Sequence, residues 1–346
     1  MAKKAIFNKK NVLVCGGAGF IGSHLCDELI KSAKVICIDN YISGREENIE
    51  HLLGNPNFMF IKYDVSEPID LEKFSELDKF QIKFQGVQEI YNLACPTSRK
   101  DFEKNIIATL RANSYAVYNT LELARKYQAK YLLASTSSIY GDTLEGQEII
   151  SEDYWGFSDQ LSPRSCYNEG KRFAETMSIN YSRQYNLEIK IARIFNTYGP
   201  RMQYNSGRMM PDFVQAAVKH QNLIIYGDGS EEDSYCYVKD MVDGLVKLMN
   251  YPVTAVMNIG SPEKHSIIKV AQEIIKLTNS KSQISFSDQL PYLTKPGIAN
   301  TEKAKKELSW FPLINLTDGL KKTVADMLGS RVLTYASVMN NLNEKK

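Results

Sequence analysis

The 346-residue sequence lacks the patterns that mark several large protein classes. Its six cysteines (Cys15, Cys26, Cys37, Cys95, Cys166, Cys236) include no CxxC pair and sit mostly in apolar segments. That distribution reads as reduced packing residues rather than a disulfide framework. The four histidines are dispersed, with no pair at metal-ligand spacing, so no metal site is expected. Charge of one sign is also missing. A formal net charge of +2 gives no reason to expect nucleic acid or an anionic membrane as partner. An anionic ligand must therefore rely on local groups such as helix N-termini and single arginines. Long hydrophobic runs are absent too. The first apolar stretch, residues 12–15, meets two glycines and is too short for a signal-peptide core, and nothing later reaches spanning length. The expectation is a cytoplasmic protein.

What remains is an ordinary globular composition, 43% hydrophobic and 24% charged, in a chain long enough for two lobes or one large domain. Short apolar runs read as buried strands: NVLVC (11–15), KVICID (34–39), FMFIKYD (58–64), EIYNLA (89–94), KYLLAS (130–135) and IKIARIF (189–195). Amphipathic helical patterns lie between them at 23–31, 106–127 and 167–185, with a polar excursion at 71–86. Strands alternating with helices predict an α/β fold, a Rossmann-type doubly wound parallel sheet covered on both faces. After Gly199-Pro200 the rhythm weakens, and segments 211–220, 222–227, 239–250, 265–278 and 316–328 mix helices with short strands. The expected organisation is a dinucleotide-binding domain over 1–200 and a smaller mixed α/β substrate lobe over 201–330, with elements exchanged between them. A polar C-terminal tail covers 331–346.

Between the first strand and the first helix stands CGGAGFIGSHL, with Gly16, Gly19 and Gly22 at GxxGxxG spacing around Phe20 and Ile21. A second strand follows and ends at Asp39, the context that a dinucleotide fingerprint requires. The glycines let backbone amides approach a pyrophosphate, and the helix N-terminus adds partial positive charge. Asp39, followed by Asn40, suits a ribose hydroxyl pair and repels a 2′-phosphate. NAD is therefore expected over NADP, with Arg45 as the one nearby residue that weighs the other way. Asp64 and Val65 are candidates for the adenine edge. Leu93 and Ala94 either line the nicotinamide side or are plain strand core.

The stretch ASTSSIYG (134–141) sets four hydroxyls in a row at a strand end. Downstream, CYNEGKRFAE holds Tyr167 and Lys171 four residues apart, on one face of a helix. An ammonium beside the phenol would lower its pKa and make Tyr167 a base near neutral pH.

Taken in order, GxxGxxG, the hydroxyl run, Tyr167-x-x-x-Lys171 and RIFNTYGP (193–200) resemble the extended short-chain dehydrogenase/reductase superfamily over about residues 10–328. Within it, SEDYWG (151–156), PRSCYNEGKRFAET (163–176) and ARIFNTYGPRM (192–202) look most like the UDP-glucuronate decarboxylase (UDP-xylose synthase) family. The resemblance implies an NAD-dependent enzyme acting on a nucleotide-diphosphate sugar. In it Tyr167 takes the proton of a sugar C4 hydroxyl, and Lys171 holds the nicotinamide ribose and tunes Tyr167. Thr136, Ser137 or both bond the reacting hydroxyl. Asn196 would meet the substrate diphosphate, Arg208 would do likewise, and Tyr226 would lie near the base. A homodimer through a four-helix interface of 106–127 and 167–185 from each chain is implied as well.

Two positions depart from that pattern. Family decarboxylases carry a glutamate where this chain has Ser138, and dehydratases carry Asp-Glu there, whereas C4 epimerases often carry a serine. A 4,6-dehydratase is therefore not expected. After the YGDGS turn most of the superfamily has an arginine against a substrate phosphate or carboxylate, while this chain reads GSEEDSYCYVKD, with Asp233 at that place. Either that loop turns outward or the ligand differs. Arg99 and Lys100 are candidate substitute cations, or else solvated loop charges. The ranked readings are 4-epimerisation, then decarboxylation of a UDP-hexuronate, then an NAD-binding protein without turnover.

Overall fold

The computed structural model describes residues 9–143, 148–204, 206–288 and 297–343. Side chains are described except at Arg99 and from Ser330 onward. Seven strands form one parallel sheet: β1 (Asn11–Cys15), β2 (Lys34–Asp39), β3 (Phe58–Lys62), β4 (Glu89–Asn92), β5 (Lys130–Thr136), β6 (Ile189–Ile194) and β7 (Ala255–Ile259). Their order is β7-β6-β5-β4-β1-β2-β3.

The two-residue alternation of each strand builds two cores. Val12, Val14, Val35, Cys37, Tyr91 and Leu132 pack on one face, and Leu13, Cys15, Ile36, Ile38, Ile90, Tyr131 and Leu133 on the other. On the first face the sheet is covered by α1 (Phe20–Leu29) and by a helix over Val238–Asn250, with the buried Trp310 beside it. On the second it is covered by α4 (Tyr115–Tyr127) and α5 (Ser165–Tyr185). The chain leaves β1 toward β2 on one side and meets β4 on the other, so the strand order reverses there. The ends of β1 and β4 open onto a crevice, the position where doubly wound sheets bind ligands.

The six expected strands are present, with ends shifted by up to two residues. The seventh comes from the C-terminal half, where AVMNI carries a buried Asn258 that broke the apolar pattern. The helix expected over 106–127 is broken: α3 (Ile106–Asn113) and α4 are separated at Ser114, whose backbone leaves helical values. Ser114 donates its hydroxyl to the Leu110 carbonyl at 2.7 Å and Asn113 its amide to the Thr109 carbonyl at 2.9 Å. Such local side-chain bonds compete with helix propagation. A short α2 (Arg99–Lys104) precedes them, begun by a capping box between Ser98 and Asp101.

The remaining chain forms a smaller core around Met210, Phe213, Leu223, Ile225, Val270 and Leu320. One helix, Leu316–Asn343, continues through the polar segment that begins at Arg331 as far as Asn343. Among the described residues no helix is long and apolar enough to cross a membrane.

Candidate active site

A cleft of about 1410 Å³ runs over the C-terminal ends of β1, β2, β4, β5 and β6 and is closed by the smaller core. At one end the backbone comes unusually close. Gly16 has φ +76°, and a Cβ there would stand 2.8 Å from the backbone of Leu93 and Ala94. A Cβ on Gly22 would lie 2.1 Å from the Gly16 carbonyl oxygen, so only glycine lets α1 start against the loop. Gly19 begins α1 without a side-chain cap, leaving the first-turn amides of Phe20, Ile21 and Gly22 at the cleft.

Asp39 is buried at the end of β2, accepting from the backbone amides of Ala18 at 3.0 Å and Tyr41 at 2.8 Å. Burial raises its carboxyl above the usual range, while these amides pull it back. Asn40 donates to Asp64 at 3.1 Å, and Asp64, Val65, Leu93 and Ala94 line the same wall. Arg45 donates to Asn48 and to the Arg201 carbonyl, and its guanidinium closes the rim. A glycine cradle that a Cβ would fill, an uncapped helix start and a buried carboxylate turned to the cleft fit a dinucleotide.

At the centre, β5 ends at Thr136. Its hydroxyl caps the short turn Ser137–Tyr140, accepting from the Ser138 amide at 3.2 Å and donating to the Ser138 hydroxyl at 3.3 Å. The same hydroxyl stands near the phenol of Tyr167, whose pKa it lowers. Capping and site contact thus coexist in one residue. Ser137 lines the cleft beside it. Tyr167 and Lys171 both lie buried on α5, facing this strand end.

The expected activation of the phenol by Lys171 is not what this arrangement gives. Lys171 donates its ammonium to the Ala134 carbonyl at 2.7 Å. Burial, with Cys95 adding, pushes Tyr167 up to about 12, and the groups pulling against it are Thr136, Arg208 and Arg164. Burial also lowers Lys171, opposed by Cys95 and Glu175.

Several neighbours escaped the sequence reading. Phe102 stacks on Tyr167, with centroids 4.8 Å apart and planes at 27°, and Cys95 and Cys166 complete that apolar wall. Glu175, one turn beyond Lys171, accepts from Ser135 at 2.5 Å and pairs with Arg193. Its i+4 spacing from Lys171 was the available signal. The contacts of Phe102 had none, because they depend on how the loop after β4 folds back.

At the substrate end, Asp233 faces into the cleft, so the loop does not turn outward. It accepts from the Asn196 amide at 2.6 Å, which ties up part of the donor expected to meet a diphosphate. Arg208 donates to the Thr97 carbonyl at 2.8 Å and hydroxyl at 2.5 Å, makes no ion pair among the described residues, and lies near Tyr167. Ser138 sits between Thr136 and the cleft, Tyr226 is partly exposed on the far wall, and Lys100 stands exposed at the rim. Arg99 opens α2, and its side chain lies outside the described residues.

The family model described as GDP-mannose 4,6 dehydratase matches residues 13–323. UDP-glucuronic acid decarboxylase 1 of Xenopus tropicalis is 42% identical over 321 residues, 92% of this chain and 72% of that protein. Among solved structures, UDP-glucose 4-epimerase from Thermotoga maritima with UDP-glucose aligns at 26% identity and TM-score 0.81, covering 92% of this chain and 99% of that one. UDP-glucuronic acid 4-epimerase from Bacillus cereus, in complex with UDP-glucuronic acid and NAD, aligns at 27% identity and TM-score 0.79 with the same coverage.

Proposed function

The chain belongs to the GDP-mannose 4,6-dehydratase family of the extended short-chain dehydrogenase/reductases, and we propose that it is an NAD-dependent enzyme that oxidises C4 of a nucleotide-diphosphate sugar and returns the hydride with inversion, a 4-epimerase. NAD bound along the glycine cradle and Asp39 supplies the hydride acceptor and donor. Tyr167 removes the C4 hydroxyl proton, and Thr136, beside the phenol at the end of β5, orients that hydroxyl. Ser137 stands beside it as a second partner. Lys171, buried against Ala134, fixes the strand end and would hold the nicotinamide ribose. Arg208, a half-buried cation near Tyr167 without an ion-pair partner among the described residues, suits an anionic substituent next to C4, such as the carboxylate of a hexuronate.

The observation that carries the reading is the hydroxyl at position 138. Ser138 is hydrogen-bonded to Thr136, and no carboxylate stands in that turn to move a proton once C4 is a ketone. Of the cleft's other acids, Asp101 is engaged in its capping box and Asp233 with Asn196. The second reading, decarboxylation of a UDP-hexuronate, is favoured by relatives about 40% identical that carry that name. Incubation of the NAD-loaded protein with UDP-glucose and UDP-glucuronate, followed by NMR of the products, tests the choice. The 4-epimers support the proposal, and a UDP-pentose refutes it.

We propose in addition that two copies associate through α3, α4 and α5. These helices leave Ile107, Leu110, Tyr115, Tyr118 and Phe173 exposed, an apolar surface ordinarily covered by a partner.

A further inference from the structure

We propose that Asp233 is a specificity-determining residue: it sets the charge the cleft accepts beside Asn196, weakening the hold on a diphosphate while ionised and strengthening it once protonated. This rests on the nucleotide-sugar reading, because that ligand must bring a diphosphate into the cleft.

Asp233 lies in a short strand, Glu232–Ser234, paired antiparallel with Lys264–Ser266, and its carboxyl lines the same cleft as Tyr167 and Lys171. Oδ2 accepts from the Asn196 amide at 2.6 Å and Oδ1 from the Ser234 amide at 2.7 Å. Both donors are neutral, and among the described residues Asp233 has no ion-pair partner.

The charged groups around it do not compensate. Lys264, on the paired strand, reaches Glu148 and Glu232. His265, directly across the register, rests 3.5 Å from Glu263. Arg208 is held by Thr97 and has Tyr167 and Asp101 as its titratable neighbours. Glu231 adds like charge, and Tyr235 packs alongside without any. Burial, with Glu231 adding, raises the Asp233 carboxyl to about 6, against the pull of Ser234 and Asn196.

A diphosphate entering this wall would raise the carboxyl further. Affinity is then full below the free carboxyl's pKa and falls as pH rises through it, until the pKa of the complex is reached.

Calorimetric titration of the NAD-loaded protein tests this, with UDP-glucose and with uridine at pH 5.5, 6.5 and 7.5, on wild type and D233N. The UDP-glucose diphosphate keeps its charge across that range, and uridine has none. NAD content in each sample verifies the fold. The expected result is a UDP-glucose dissociation constant that rises by up to about tenfold between pH 6.5 and 7.5 in wild type. D233N should be flat and tighter at pH 7.5, and uridine flat in both. An equal slope in D233N, no slope in wild type, or an equal slope for uridine overturns the proposal while leaving the nucleotide-sugar reading intact. Absence of UDP-glucose binding in both proteins at every pH, with NAD retained, overturns that reading and the proposal with it.

Discussion

Glu175 and Arg193 form a two-pronged ion pair, Oε2 to Nη2 at 2.9 Å and Oε1 to Nε at 3.1 Å, one helical turn beyond Lys171. Both side chains are largely buried, and the pair joins α5 to β6, while Ser135 ties the same carboxylate to β5. Removing one member leaves a buried charge unpaired, so Glu175→Gln should lower stability by about 3 kcal/mol or more in urea unfolding. Because Ser135 immediately precedes Thr136, the same variant should lower kcat with little change in KM.

Tyr167→Phe should reduce kcat by about 10²- to 10⁴-fold with NAD content unchanged. The phenol stands near 12 and is protonated at neutral pH, so as the base it becomes more available as pH rises. The wild-type kcat at saturating substrate should therefore climb toward alkaline pH. The nearby Thr136 hydroxyl lowers the phenol, and Thr136→Ala should displace that climb to higher pH, with Thr136→Ser restoring it.

Gly22→Ala places a methyl where the Gly16 carbonyl oxygen already stands. The loop must move, at a cost of about 1–3 kcal/mol. NAD affinity, followed by fluorescence titration, should fall by about tenfold for the lower half of that range. Gly54→Ala, open on all sides, serves as the control and should change neither.

Phe173 is half exposed on α5 beside Tyr115 and Tyr118 of α4. Phe173→Asp should convert a dimer to monomers in sedimentation velocity while the far-ultraviolet dichroism stays the same.

The sheet was legible because each buried strand carries its apolar residues in one short run, as in Asn11–Cys15 and Lys34–Asp39. The glycine spacing and the Tyr167/Lys171 pair were legible for the same local reason. What was not legible depends on long-range packing. Ala255–Ile259 pairs with β6 from far along the chain, and its buried Asn258 finds partners at Tyr140 and Ile150. The direction of Lys171 toward Ala134 depends on the approach of α5 to β5. Likewise the inward turn of Asp233 is set by Asn196, thirty-seven residues earlier in the chain.

The central claim is that Tyr167 serves C4 oxidation and that Ser138 leaves the 4-keto sugar to be reduced again rather than broken down. Incubating the NAD-loaded enzyme with UDP-glucuronate deuterated at C4 tests it most directly, with mass spectrometry and NMR of the nucleotide sugars and collection of CO2. The account predicts the 4-epimer with deuterium still on C4 and no CO2. Release of CO2 with formation of a UDP-pentose would contradict it.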